Sequence, residues 1–106
     1  MFKTRQYFQI KSFEVDRTYE GDVVHYKYMP ISTGLRFIDD AVETFNNELK
    51  IKAISVTVLS IKSTRDASIA IKGSRKHLDL FIKSLLISKF ADNFSWRKIE
   101  RWEAEI

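Results

Sequence analysis

The chain contains no cysteine, and this absence excludes a disulfide framework and any metal site built from thiolates. A chain without thiols fits a reducing compartment, so we expect a cytoplasmic protein. Glycine and proline are also scarce, with three and one in 106 residues. Because these residues mark turns and breaks, their scarcity predicts few and short loops.

Long apolar runs are missing as well. No stretch approaches the roughly 20 residues that a membrane-spanning helix requires. The first residues, MFKTRQYFQIKSFEVD, have neither the apolar centre nor the small-residue cleavage site of a secretory signal. We therefore expect no export and no membrane partner.

The residues that are present indicate a folded globular protein. Hydrophobic residues make up 44% of the chain, charged residues 30% and aromatic residues 13%, which argues against disorder. The length suits a single domain spanning residues 1–106. The net charge of +4, from 18 basic and 14 acidic residues, favours a weak attraction to nucleic acid or to another acidic partner.

The N-terminal third alternates in a way that predicts two strands. Residues 5–15 are rich in aromatic and β-branched types in two parities, which predicts either a bulge near Lys11-Ser12 or a strand that is apolar on both faces. In residues 22–29 the apolar side chains recur at every second position. Together the two segments predict an antiparallel hairpin whose polar connection, residues 16–22, forms a rather long loop.

Two amphipathic helices and a second hairpin follow. Pro30 stops the preceding strand, and Ser32 or Thr33 is placed to cap a helix that runs to Leu49, with Asp39 and Asp40 early in it. Residues 51–62 and 67–73 predict a second hairpin. Ser74 precedes a second helix, whose apolar stripe consists of Leu78, Phe81, Ile82, Leu85, Leu86 and Phe90.

The last segment, WRKIERWEAEI, alternates cleanly as a strand but also clusters its apolar residues as a helix. We favour a strand, with Trp96 and Trp102 on one face. The predicted order is then ββαββαβ, an α+β fold with an antiparallel sheet and two helices packed on one face. This order contains a ferredoxin-like plait with an extra N-terminal hairpin strand. That topology hosts unrelated functions, so the site residues must decide the function.

The stretch IKGSRKHLD, residues 71–79, passes from a predicted strand to a predicted helix through one glycine. Backbone N–H groups at a helix start hold phosphates well, and the neighbouring cations suit that role. The alternative is an ordinary Ser74 cap with solvated basic neighbours. The candidate anion-binding residues, including those of the second hairpin's tip, are Lys62, Arg65, Lys72, Ser74, Arg75, Lys76 and His77.

Aromatic residues alternate with basic ones near the N-terminus, a pattern typical of surfaces that hold single-stranded nucleic acid. Tyr7, Tyr26 and Tyr28 are the candidate stacking residues, although aromatic residues on such strands also serve as core. The RNA-recognition signature requires aromatics on the third strand of the plait. That strand, ASIAIKG, has none, so a standard RNA-recognition module is not expected.

No catalytic or metal-binding arrangement is visible. His25 and His77 are the only histidines, and neither has a ligand-type residue at a helical or strand spacing. We therefore expect a protein that is not an enzyme and that uses no metal and no cofactor.

The C-terminal tryptophans and arginines suit a protein interface, because Trp and Arg dominate interface hot spots. The candidate interface residues are Trp96, Arg97, Arg101 and Trp102, and an edge strand here also offers a route to a homodimer. The sequence thus favours a small nucleic-acid-binding accessory or regulatory protein. The alternative is a protein-interaction module, a regulator or inhibitor that acts through its sheet edge and these tryptophans.

Overall fold

The computed structural model describes residues 3–104. Six strands and four helices follow one another along this part of the chain, as β1 Thr4–Ser12, β2 Glu14–Glu20, β3 Val23–Tyr28, α1 Ile31–Leu49, β4 Ile54–Ser63, β5 Asp66–Gly73, α2 Arg75–Leu86, α3 Phe90–Asn93, β6 Phe94–Ile99 and α4 Arg101–Ala104. None of these helices is both long enough and apolar enough to cross a lipid bilayer.

The strands form two separate antiparallel sheets. The main sheet has the order β4-β5-β1-β6, and β2 pairs only with β3 in a second sheet of two strands. The two long helices pack on one face of the main sheet, which confirms the predicted α+β class with an antiparallel sheet. The predicted order ββαββαβ is not matched, because three strands precede α1 and two short helices flank β6.

The core lies between the main sheet and the two long helices. Every second residue of the central strands points into it, including Phe8 and Ile10 of β1 and Ile69 of β5. The helical stripes supply the other half, with Ile38 of α1 and Phe81 of α2 fully buried. The apolar periodicity therefore locates α1, the β4–β5 hairpin and the start of α2 correctly. The predicted second helix is too long, because α2 ends at Leu86 and Phe90 begins the separate helix α3.

The predicted N-terminal hairpin is wrong in its pairing. Strand β1 ends at Ser12 and pairs with β5 and β6, while the expected loop is itself strand β2. Polar residues form this strand because both of its faces are open to solvent. A two-residue turn, with Gly21 at a φ of +61°, then reverses the chain into β3. We call residues 14–28 the arm.

Helix α1 also begins earlier than predicted. Pro30 is its N-cap residue, and neither Ser32 nor Thr33 caps it. The first helical N–H, that of Ile31, instead donates to the carbonyl oxygen of Thr64 at 2.7 Å. Because the helix starts at Ile31, Asp39 and Asp40 lie in its middle, where the charge of the helix N-terminus no longer acts on them.

The C-terminal segment is a strand only as far as Ile99. Residues Arg101–Ala104 form the single helical turn α4, whose start is held by the Glu103 carboxylate accepting from the N–H of Glu100 at 3.2 Å. This turn crosses the sheet face opposite the long helices, where Ala104 is fully buried and its carbonyl oxygen accepts from Ser60. The alternation of apolar and polar residues in positions 99–104 comes from a helical turn with one buried side, not from a strand that continues.

Candidate nucleic-acid interface

Three strands of the main sheet start or end at the same place. Thr4 of β1 and Ile54 of β4 both lie opposite Gly73, the last residue of β5. A Cβ atom on Gly73 would approach the carbonyl oxygen of Ala53 to 2.7 Å, so glycine is required for this close approach. The segments next to these positions are therefore neighbours at one end of the sheet.

Cations dominate this end of the sheet. Arg5 of β1 and Lys72 of β5 face each other directly across the strand pair, on the face opposite the long helices. Lys3 and Lys52 precede β1 and β4, and Arg75 and Lys76 open α2; all of them are exposed to solvent. We call this set the basic end and define it as Lys3, Arg5, Lys52, Lys72, Arg75 and Lys76.

Ion pairs among the described residues do not compensate the charges of the basic end. Within residues 3–104 the salt bridges are Arg17–Glu14, His25–Glu20 and Arg97–Glu103, and none involves a cation of the basic end. Like charges that face each other across a strand pair destabilise the sheet. A concentration of such charges creates a positive potential that an anionic partner relieves.

Residues 71–79 form a capped strand-to-helix turn. The Ser74 hydroxyl accepts from the backbone N–H of His77 at 3.3 Å and lies 3.0 Å from Nδ1 of the same residue. The His77 ring packs edge-on against Phe45, with 6.3 Å between ring centroids. Ser74 and His77 thus have structural contacts, whereas Arg75 and Lys76 remain exposed.

The tip of the β4–β5 hairpin lies far from this turn. Lys62 and Arg65 flank the start of β5, and Arg75 follows its end. Eight strand residues separate the two ends, a distance of about 26 Å at 3.3 Å per residue. The structure therefore does not bring the predicted anion-binding residues together on one surface.

The three candidate stacking tyrosines do not share a platform. Tyr7 is half-buried on the main sheet, where it lies opposite Ala70 and Ile99. Tyr26 and Tyr28 belong to the arm, and their rings face the guanidinium groups of Arg17 and Arg65, at 5.0 and 3.8 Å from the centroids. The tyrosines are therefore divided between the two sheets.

The C-terminal candidates are divided as well. Trp96 is partly buried and packs against the core, 4.1 Å from Phe8 between ring centroids, whereas Trp102 on α4 is 65% exposed. The predicted common face is thus wrong, because the strand ends between the two tryptophans. Arg97 donates to Oε1 of Gln9 at 2.8 Å and lies 3.6 Å from Glu103.

A small cavity of about 170 Å³ lies under α4 on this sheet face. Lys62 lines it together with Arg97 and Trp102, although the sequence predicts Lys62 in the anion site and the other two residues in the protein interface. Ser68 also lines it, and the hydroxyl of this fully buried residue has no hydrogen-bond partner in the part of the chain that the structure describes. Within residues 3–104 no three acidic or histidine side chains gather as a group that would hold a metal ion.

Sequence reasoning missed half of the basic end. Lys3, Arg5 and Lys52 are far from residues 72–76 in the chain, and only the pairing of β1 and β4 with β5 brings them near. The signal that would have found them is the strand order, since the start of β1 and the end of β5 coincide whenever these two strands pair antiparallel.

The chain matches no protein-family model, no curated protein and no solved structure.

Proposed function

We propose that the protein acts by binding nucleic acid, with phosphates held on the basic end. The observation that carries this proposal is the group of six exposed cations gathered where β1, β4 and β5 meet, none of which forms an ion pair with another described residue. Phosphate contacts of this kind are electrostatic and independent of sequence, so they suit an accessory or regulatory protein. The basic end replaces the set that included Lys62 and Arg65.

The charge of the arm also supports binding through the basic end, because it disfavours contact between nucleic acid and the arm. It carries four carboxylates against Arg17 and Lys27, a net charge of −2, so the rest of the chain carries +6. Nucleic acid is repelled by an acidic ribbon and attracted to a basic surface. Contact through the basic end alone is therefore the arrangement that the charges favour, and Tyr26 and Tyr28 take no part in it.

The experiment is a fluorescence-anisotropy titration of labelled single-stranded and duplex oligonucleotides, between 50 and 200 mM salt. We expect the logarithm of the association constant to fall steeply with the logarithm of salt concentration. If each of the six cations contacts one phosphate of a single strand, the slope is about −4. The absence of binding to either oligonucleotide at 50 mM salt would overturn the proposal.

A charge-matched pair of variants locates the contact. Arg75→Glu with Lys76→Glu reverses two charges of the basic end, and Lys83→Glu with Lys89→Glu reverses two near the other end of α2. Both variants lower the net charge from +4 to 0, so a general charge effect weakens binding equally in both. We expect at least a tenfold loss in the first variant and less than a threefold loss in the second. Equal losses would contradict binding at the basic end.

We also propose that the main sheet with α1 and α2 is a ferredoxin-like plait, to which the arm and α4 are additions. Its support is the strand order β4-β5-β1-β6, all antiparallel, with α1 leading from the N-terminal strands to β4 and α2 leading from β5 to β6. Glu14 is paired with Tyr28, so a two-residue turn is long enough to replace the arm. We expect the armless variant to keep the cooperative unfolding transition and near-ultraviolet circular dichroism of the intact chain; loss of both would contradict this division.

A protein-interaction module is the second candidate. The observation that favours it is Trp102, which is 65% exposed beside β6, an edge strand of the main sheet. Trp96 takes no part, because it closes the core. If the oligonucleotide titrations show no binding, the next test is capture of a stoichiometric partner that Trp102→Ala releases and that Trp102→Phe retains.

A further inference from the structure

The arm is an amphipathic ribbon. Its register places Tyr19 opposite Val24 and Arg17 opposite Tyr26, so Tyr19, Val24, Tyr26 and Tyr28 lie on one face. The other face is mostly polar and carries Asp16 opposite Lys27 and Thr18 opposite His25. An alternation of this kind is typical of a ribbon with one face buried against another surface.

The aromatic face of the arm is not covered within the chain. Tyr19 is 69% exposed and Tyr26 is 53% exposed, with only the guanidinium of Arg17 near the Tyr26 ring. Apart from their mutual pairing, neither arm strand packs extensively against any other element of residues 3–104. A two-stranded hairpin alone in water is marginally stable, so this arm gains stability from a surface outside its own chain.

The dimensions of the molecule agree with an unpaired surface. Its radius of gyration is 15.5 Å and its longest extent is 60 Å, whereas a globular domain of this length has a radius of gyration of about 13 Å. Its accessible surface is 7342 Å², and a folded monomer of this mass exposes about 6,200 Å². The excess is larger than the roughly 800 Å² that one partner buries in a typical specific interface.

Charge is segregated along the same long molecule. The arm, with its net charge of −2, leaves the main sheet at the end where β1 finishes. The basic end lies at the other end of β1, where the strand starts. Each molecule therefore carries an acidic, aromatic surface at one end and a basic surface at the other.

We propose that two copies of the chain associate side by side in opposite directions, with the arm of each copy on the basic end of the other. Two-fold symmetry makes this contact reciprocal and closed, so no chain of molecules grows from it. Lysine and arginine side chains from one copy then stack on Tyr19 and Tyr26 of the other, as Arg17 and Arg65 already stack on Tyr26 and Tyr28.

The same charges disfavour the simpler pairing of arm with arm. That contact would bring two ribbons of net charge −2 together. It would also be small, because a ribbon of six paired residues per strand is about 20 Å long and about 10 Å wide. Two reciprocal contacts per dimer provide the larger interface that a specific complex requires.

The test is sedimentation velocity of the full chain between about 1 and 200 μM, at 50 and 500 mM salt, without nucleic acid. We expect a dimer at 50 mM salt that dissociates at 500 mM salt, because the contact is electrostatic. A monomer at 200 μM in 50 mM salt would overturn the proposal. Since no nucleic acid is present, this result does not depend on the proposed function.

Two charge-matched variants place the contact on the arm. Asp16→Asn with Glu20→Gln and Asp22→Asn neutralises the arm, and Asp39→Asn with Asp40→Asn and Glu43→Gln neutralises the same number of carboxylates on α1. We expect at least a tenfold rise in the dimer dissociation constant for the arm variant and less than a threefold change for the α1 variant. Equal effects would contradict an arm contact, and the armless variant, which we expect to be monomeric, repeats the test without these substitutions.

Cross-linking identifies the surface that receives the arm. A carbodiimide couples carboxylates to lysines at zero length, and a mixture of ¹⁴N- and ¹⁵N-labelled protein marks links between copies. We expect mixed-isotope links from Glu20 or Asp22 to Lys72 or Lys76. Arm links that form only within one copy, or only to lysines outside the basic end, would overturn the proposal.

Discussion

A glycine is required at position 73 because two strands and a helix start or end close to it. A methyl group there would meet the carbonyl oxygen of Ala53 and the Cδ1 atom of Ile54, both at 2.7 Å. We expect Gly73→Ala to lower the free energy of unfolding by about 1–3 kcal/mol, as overpacking does. Urea denaturation measures this, and Lys72→Ala next to it, on the exposed side, should change it by less than about 0.5 kcal/mol. Equal effects would mean that β4 yields to the added methyl group.

Glu14 at the base of the arm is held by Arg17. The guanidinium donates from Nε to Oε1 at 2.8 Å and from Nη2 to Oε2 at 3.1 Å, and these hydrogen bonds lower the pKa of Glu14 from its ordinary value of 4.5. Because the pKa is lower in the folded arm, the contact favours folding above the ordinary pKa, and this contribution is lost as pH falls through the folded pKa.

The corresponding measurement is an NMR titration of the Glu14 side-chain carboxyl. We expect a midpoint below 4.5 in the intact chain and a rise toward that value in Arg17→Gln, which removes the charge and the forked hydrogen bonds. An unchanged midpoint in the variant would assign the shift to a different neighbour.

At the scale of the element, helix α2 carries its charges in an unfavourable order at its start. It has no acidic residue in its first turn, where Arg75 and Lys76 meet the positive end of the helix, and Lys83 lies favourably in its last turn. We expect Arg75→Glu with Lys76→Glu to raise the free energy of unfolding by about 0.3–1 kcal/mol, and Lys83→Glu to lower it by a similar amount. Thermal and urea denaturation at low salt measure both.

This prediction also separates stability from binding. The Arg75 and Lys76 variant should fold better and bind oligonucleotides worse, a combination that damage to the fold does not produce. If the variant were destabilised instead, the two side chains would hold a structural contact at the start of α2.

Elements with a strong apolar period could be predicted from the sequence, and the others could not. Helix α1 and strands β4 and β5 place apolar residues at the spacing of a half-buried element, so their existence follows from the pattern. Strand β2 has no such pattern, because both of its faces are exposed. Its residues have the pattern of a loop, so the sequence predicts the wrong pairing partner for β1.

The candidate site was harder to predict than the elements. Residues 72–76 are adjacent in the sequence and form one recognisable basic segment, but Arg5 joins them only through the pairing of β1 with β5. Lys62 and Arg65 are near this segment in the sequence, although strand β5 separates them from the helix start. Contacts between residues on different strands can be predicted only when the order of the strands in the sheet is known.

At the scale of the whole molecule, the basic end is assembled by the pairing of β1 and β4 with β5, so the proposed oligonucleotide site exists only in the folded chain. We therefore expect a saturating oligonucleotide to raise the midpoint of thermal unfolding at 50 mM salt. Circular dichroism with and without the oligonucleotide measures this shift, and an unchanged midpoint would contradict a site that folding creates.

The distance between the acidic arm and the basic end has a consequence for how an encounter begins. Because the arm carries a net charge of −2 and the rest of the chain carries +6, the arm contributes a dipole moment that points toward the main sheet. The field of a polyanion exerts a torque on such a molecule and turns it during approach, so that the basic end leads and the arm trails. Before any contact forms, the molecule has already acquired a polarity relative to the surface it meets.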